Sequence, residues 1–460
     1  MQDYRPPRPE YKYPPRRVYY MPAGAVMTPD ALRDAICWHK TFVRDTLAPL
    51  GRMYEVDSEI FHRPPREDGK PDNRISSAHC KIVVDEFVGY LTGIPIHTTS
   101  PDEAAQEYVK YLTDATDSDE RTTDLVQDAC IFGRGYEMYY NDEDGEVGAA
   151  VVSPLTSFVI YDDSILHRPL FFVRYGIDAD GMERGSYSDD SAVVHFVDDG
   201  GGEYHFLMDD IEAHSFPGVP ATEYVLCRQR LGLYEPGVSL ENAFNSALSE
   251  KANDIESFAD TYLKILGAPV DETEIPRIAR RRILAFAGDG TGQNPEVGFL
   301  ERPTADGLEE HFLDRVEKLF FRACQVPDLS DEHFGTASGQ ALKWRLLGMD
   351  NLAAGVKRKI AASLRRRYRL IFGNPASVTH GVSPDDWKGL SFHFSRNLPS
   401  NVIDEATTAQ TLDGIVSRQT QLSVLSVVDD VQAEMDRIAA EREAEIEAVS
   451  SYGVHDHGDE

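Results

Sequence analysis

Residues 239–325 restrict this chain's fold most, because they read as a long helix, a compact β-rich excursion and a second helix coming back. Ser239, an N-cap type, follows the breaker Gly237 and opens the first helix. Leu240, Phe244, Leu248, Ala252, Ile255, Ala259, Tyr262 and Leu266 recur at steps of three and four, which sets them on one stripe. Glu241, Glu250, Asn253, Asp254, Glu256, Asp260 and Lys264 form a polar back. Gly267 and Pro269 stop the helix at a length of roughly 40 Å. The returning helix starts at Asp306, at capping-box distance from Glu309. Its stripe is Leu308, Phe312, Leu313, Val316, Leu319 and Phe320, and Pro327 ends it after roughly 30 Å. Between the rods lie a basic segment at 275–282 (Arg277, Arg280, Arg281 and Arg282), an apolar run at 283–287, a glycine turn at 288–292 and an apolar segment at 297–300. Rods with one apolar edge each must pack sideways, either within one globular domain or against other copies.

The rest of the chain has helices first and strands after. Residues 1–25, rich in Pro, Arg and Tyr, read as an extended arm, flexible or lying on a neighbour. Thr28 and Pro29 start a helix as N-cap and N1. Further helices are expected at 77–91, 102–112 and 121–132. From Gly135 the period becomes two, with strands at 136–140, 147–152, 158–161, 170–175, 193–197, 204–208 and 224–226 joined by acidic, glycine-bearing turns. The result is an α+β body with an antiparallel sheet.

A helix at 338–372 carries Gly348 and Gly355, which invite a bend. Lys343, Arg345, Lys357, Arg358, Lys359, Arg365, Arg366, Arg367 and Arg369 stand against Asp350 alone, nine minus one leaving +8. These cations either pair with acidic helices of the same or the next subunit, or touch phosphate. A short strand at 390–394 and helices at 402–416, 420–425 and 428–449 follow, and 450–460 reads as a disordered tail.

The formal net charge is −32, which opposes free, non-specific binding to DNA. It suits a wall along which a duplex must slide, and equally a soluble surface or a salty host. The five cysteines are scattered with no CxxC pair, so neither a zinc site nor a disulfide framework is suggested. No apolar run approaches 18 residues, and the first residues do not read as a signal peptide. Catalytic patterns are missing. The segment 287–292 lacks the Lys and Ser/Thr of a phosphate loop, and 178–181 has its glycine too early for a calcium loop. His455 and His457 lie in an acidic tail, and no HExxH or GxSxG occurs. Neither an enzyme nor a cofactor is expected.

The segment Ala252-Asn253-Asp254-Ile255-Glu256-Ser257-Phe258 resembles the long stem helix of portal proteins of tailed double-stranded DNA viruses. Upstream, Asn73-Arg74-Ile75, Lys81-Ile82-Val83-Val84-Asp85 and Tyr90-Leu91-Thr92-Gly93-Ile94-Pro95-Ile96 resemble that family's N-terminal signature. Gly135-Tyr136-Glu137-Met138-Tyr139-Tyr140, Pro154, Ile160-Tyr161-Asp162, Val326-Pro327-Asp328-Leu329 and Ser338-Gly339-Gln340-Ala341-Leu342-Lys343 follow in order, over about residues 36–445. The resemblance implies a mainly helical portal fold: an arm at 1–25, a wing at 26–238 holding the sheet, stem helices at 239–266 and 306–325, a clip at 267–305, a return through 326–400 and a helical crown at 401–449. It implies a cyclic homo-oligomer, a dodecamer when assembled in the host cytoplasm into a virion vertex. Its partners would be the major capsid protein, the terminase large subunit, a head–tail adaptor and duplex DNA bound without sequence specificity, and no membrane. Leu240, Phe244, Leu248, Ile255, Tyr262, Phe312, Val316 and Phe320 would make stem contacts between subunits. Gly348, Gly355, Lys357, Arg358 and Lys359 would mark the tunnel, with 328–339 the other place for its loop. Arg277, Arg280, Arg281 and Arg282 would meet terminase or adaptor. Two alternatives are a non-viral helical scaffold and a metal-dependent nuclease.

Overall fold

The computed structural model describes residues 17–66, 70–259, 263–266, 283–286, 296–299, 306–329, 339–395, 402–425, 427–428 and 431–452. The chain divides into two compact units, Met1–Arg396 and Asn397–Glu460.

In the first unit, strand β1 (Tyr19–Met21) precedes helix α1 (Pro29–His39), a π-helical stretch (Lys40–Arg44) and helix α2 (Asp45–Tyr54). The Thr28 side chain accepts from the Ala31 N–H at 3.2 Å, so the expected cap forms. Helices α3 (His79–Thr92), α4 (Glu103–Thr116, capped by Asp102) and α5 (Ser118–Phe132) follow, with strand β2 (His97–Thr99) between α3 and α4. Gly133 ends α5 in the left-handed region, and the Arg230 carbonyl stands so close that a Cβ there would lie 2.1 Å from it.

Strands β3 (Arg134–Asn141), β4 (Val147–Val152), β5 (Ser157–Asp162), β6 (Pro169–Ile177), β7 (Glu183–Ser188), β8 (Ala192–Asp198), β9 (Tyr204–Ala213) and β10 (Ala221–Val225) make two sheets. One has the order β1-β5-β6-β7-β8-β9 and the other β10-β3-β4. All pairs are antiparallel except β1 with β5, where Tyr19 lies opposite Ile160. The second sheet packs its Tyr136, Met138 and Ala221 against Phe172 and Val159 of the first.

Beyond the sheets run α6 (Val238–Ala259), strands β11 (Leu263–Leu266), β12 (Ile283–Phe286) and β13 (Glu296–Phe299), α7 (Asp306–Cys324), α8 (Gly339–Phe372) and β14 (Ser391–His393), which pairs with β2. The second unit holds α9 (Val402–Thr411), α10 (Arg418–Leu422) and α11 (Val431–Tyr452), with the Gln421 amide donating to the Ala409 carbonyl at 2.7 Å.

Four expectations are corrected. First, the described part of the first stem helix ends at Ala259, and Leu263–Leu266 is a strand paired parallel with β12 and antiparallel with β13. A short apolar run satisfies both periods, and two available partner strands decide it. Second, the arm is not free throughout: residues 17–21 are tied to the body by β1 and by Arg17, which donates to the Arg230 carbonyl at 2.7 Å and pairs with Glu235. Residues 1–16 lie outside the described residues. Third, Gly348 and Gly355 sit inside one unbroken 34-residue helix, so 348–356 is no loop. Leu346, Met349, Ala353, Val356, Ile360 and Leu364 form its buried stripe. Burying such side chains is worth about 1.5–3 kcal/mol for each large one, against about 1 kcal/mol lost at each glycine. Fourth, β1, β2 and β7 were not read from the sequence.

Candidate subunit contacts and channel-facing residues

The polar back of α6 is covered by the chain itself. Glu241, Asn245, Ser249 and Asn253, four residues apart, are all buried. An extended strap, residues 72–78, runs along them. The N–H groups of Asn73, Ile75 and Ser77 donate to Asn253 Oδ1 at 2.6 Å, Ser249 Oγ at 3.0 Å and Asn245 Oδ1 at 2.8 Å. The two repeats match: four helical residues rise about 6 Å, and two extended residues span about 6.6 Å. Each donor on one edge of the strap therefore finds one side chain of the helix. Glu241 closes the row by accepting from the Ser77 hydroxyl and standing 3.0 Å from His79 Nδ1. Asn242 donates to Glu59 at 2.8 Å, Arg63 to Ser246 at 2.8 Å, and Arg66 pairs with Glu250.

His79 opens α3 where the strap, α6 and α7 meet. Its ring lies edge-on to Phe244 at 4.8 Å and to Phe321 at 5.6 Å, and tilted to Phe320 at 5.7 Å. Burial alone would lower its pKa, but the hydrogen bond and charge of Glu241, with the charges of Glu317 and Asp328, leave it raised. The imidazolium is the form this joint favours.

Helix α7 turns Leu313, Val316, Phe320, Phe321 and Cys324 inward. Val316, 6% exposed, and Phe320, 1% exposed, are thus covered within one chain and are not surface contacts as expected from their stripe. Close approach of Gly237 explains Phe320: a Cβ on Gly237 would stand 2.8 Å from its ring. Leu240, Phe244 and Leu248 are half-buried. Ile255 at 63% and Phe312 at 49% remain open, and Phe312 lines a hollow of about 360 Å³ with Ala247, Glu309 and Leu313. Tyr262 and the four arginines Arg277, Arg280, Arg281 and Arg282 lie outside the described residues.

On α8 the cations divide. Arg367 is buried beside Glu137, with its Nε 2.8 Å from Glu137 Oε2 and its Nη1 donating to Thr122 at 2.9 Å. The Tyr139 and Tyr224 hydroxyls also donate to Glu137, at 2.8 and 2.9 Å. Burial would raise the Glu137 carboxyl, yet the Arg367 and Arg121 charges hold it lowered. Arg366 donates to the carbonyls of Ala221 and Val219 at 3.0 and 3.1 Å. A second buried carboxylate, Glu223, takes Arg230 at 2.7 and 2.6 Å and the Tyr161 hydroxyl at 2.6 Å. Against the effect of burial, Arg230 and Arg134 hold it down at about 2. These arginines therefore fasten the long helix and loop ends to the second sheet. Lys357 is half-buried with its Nζ 5.6 Å from the Phe394 ring centre, while Arg358 and Lys359 are exposed, as is Gly348. Among the described residues, two groups on the β8–β9 hairpin have metal-ligand spacing, His195 with Asp210 and Glu212, and Asp199 with Glu203 and His205. The sequence reading missed both, since pairing of the two strands creates them. No helix of the described residues is long and apolar enough to cross a membrane.

Residues 37–448 match the family described as "Phage portal protein, SPP1 Gp6-like". The chain belongs to this family. Among similar curated proteins, the portal protein of Bacillus phage SPP1 is 23% identical over 395 residues, covering 82% of this chain and 77% of its own length. The portal protein of Clostridium phage phiCD119 is 22% identical over 387 residues, covering 78% and 83%. Among solved structures, the "Neck of native GTA particle computed with C12 symmetry" is similar at a TM-score of 0.48 and 11% identity, over 83% of this chain and 93% of that one. The "Neck of empty GTA particle computed with C6 symmetry" gives 0.46 and 11%, over 76% and 90%. The function is that of a viral portal, the channel through which phage DNA is packaged and the connector between head and tail. Phage portal proteins are virion components at the capsid vertex, and the family is structural rather than catalytic. The scaffold and nuclease alternatives give way to this assignment.

Proposed function

We propose that twelve copies of this portal chain, assembled in the host cytoplasm, close into a ring whose α6–α7 pairs stand side by side around the DNA. One observation carries this reading. The stem pair satisfies its polar back and its inner apolar face within one chain, yet leaves Ile255 and Phe312 open. Cyclic contacts of this kind bury the same patch against a different patch of the next copy, and they close only when the rotation does. The basic segment with Arg277, Arg280, Arg281 and Arg282 would meet the terminase large subunit during packaging and a head–tail adaptor later. The wing would rest on the major capsid protein. The ring itself would perform no catalysis and need no cofactor. Duplex DNA would pass without sequence readout, because a chain of net charge −32 offers few phosphate anchors. Particle images of the purified protein test the ring. Wild type should give rings with a central hole, and Ile255→Asp and Phe312→Asp should give folded, unassembled subunits. Unaltered rings from both variants would remove these residues from the interface, and a uniform wild-type monomer at high concentration would overturn the reading.

A further inference from the structure

Beside β1 the body carries an aromatic groove of about 250 Å³, lined by Tyr19, Asp34, Cys37, Trp38, Thr41 and Phe42. Tyr19 and Trp38 lie 5.2 Å apart, ring centre to ring centre, and form its floor. Phe42 stands at the edge, 41% exposed, inside the π-helical stretch Lys40–Arg44. A π turn inserts one residue into a helix and is found often at functional sites; here it lies between α1 and α2 and carries Phe42. Asp34, exposed, supplies a carboxylate at the rim.

We propose that this groove receives the N-terminal arm, residues 4–13, of an adjacent copy of the chain; this rests on the ring described above. The arm's chemistry fits. It holds Pro6, Pro7, Pro9, Tyr4, Tyr11 and Tyr13, and proline-rich segments in the polyproline II form dock on aromatic-lined grooves at low entropic cost. Residues 1–16 carry Arg5, Arg8, Lys12 and Arg16 against Asp3 and Glu10, four minus two leaving +2 on a chain of −32. At the rim the exposed Asp34 carboxylate, 4.0 Å from Arg33 Nε, has room for a second cation.

The arm is anchored to the body at Arg17. Arg17 is held by Glu235 and by the Arg230 carbonyl, and Arg134 donates to its carbonyl at 2.7 Å. Immediately before it stand Pro14 and Pro15, and a proline disfavours the helical conformation in the residue that precedes it. The 11 residue steps from Arg8 to Tyr19 can span roughly 34 Å in a polyproline II form, a length that allows the arm to reach a neighbouring copy.

The test uses two co-expressed full-length copies with different tags. One carries the photo-reactive residue p-benzoylphenylalanine in place of Tyr11 and the substitution Asp34→Arg. The other is wild type. Illuminated rings should give a covalent product joining the two tags, mapped to residues 34–42 of the wild-type copy. Adding Phe42→Asp and Asp34→Arg to the acceptor copy should lower the yield at least fivefold while ring images stay unchanged. Intact rings with cross-links only within one copy, outside 34–42, or insensitive to the acceptor substitutions would overturn the arm's placement and leave the ring standing. Absence of rings would overturn both.

Discussion

Arg367 and Glu137 are the pair on which the middle of the molecule depends. Both are buried, and each has further partners in Thr122, Arg121, Tyr139 and Tyr224. Removing one member strands the other charge away from water, which costs about 3–5 kcal/mol. Arg367→Ala should therefore lower stability to chemical denaturation by that amount, and adding Glu137→Leu should restore part of it. A loss under 1 kcal/mol from Arg367→Ala would mean that water reaches the carboxylate. His79 makes the complementary case for pH. Its folded pKa is raised above the ordinary 6.5, so the stability it contributes is fully present below 6.5 and lost as pH rises through the folded value. The stability gap between wild type and His79→Gln should be larger at pH 5.5 than at pH 8.5, measured by denaturation midpoints at both. A gap that widens with pH would reverse the assigned sign.

At the scale of elements, the strap and α6 behave as one unit, because each depends on the other for hydrogen bonds. Asn245→Leu leaves the half-buried Ser77 N–H without its acceptor, at a cost of about 0.5–1.5 kcal/mol. Amide exchange at Ser77 should quicken accordingly, and an unchanged rate would show that another acceptor takes over. This unit also shows what a single sequence reveals. The helix pair, the cap at Thr28 and the acidic hairpin turns were legible, since each is set by local geometry. Of the row Glu241, Asn245, Ser249 and Asn253, only Glu241 and Asn253 were read as part of a polar back, and Asn245 and Ser249 were not singled out. A buried polar row has the same residue types as an exposed one, and only the distant strap distinguishes them. The same cause hid Arg366 and Arg367 among the cations of α8, and hid the strand Leu263–Leu266, whose partners lie some 20 to 35 residues downstream. Val316 and Phe320 belonged to an apolar stripe wide enough to serve two surfaces, and periodicity alone does not say which side faces the chain's own core.

For the whole molecule, the division of cations on α8 decides where DNA could be felt. Arg366 and Arg367 are committed to the interior and Lys357 leans on Phe394, while Arg358 and Lys359 are adjacent and exposed on the same helix, as are Arg345, Arg365 and Arg369 elsewhere along it. On a portal whose formal charge is −32, two adjacent exposed cations are a local departure from a repelling surface. Repeated around a ring, they would form a belt of weak phosphate contacts, each screened by salt beyond about 10 Å at 0.1 M. A moving duplex gains from contacts that are weak and evenly repeated, since strong anchors would hold it in place. Replacing both with Gln should leave ring images unaltered and slow packaging in a terminase-driven reaction, with the effect shrinking as salt is raised. A slowing that does not depend on salt would point to altered packing, because only a charge contact with the passing phosphates weakens as counter-ions accumulate.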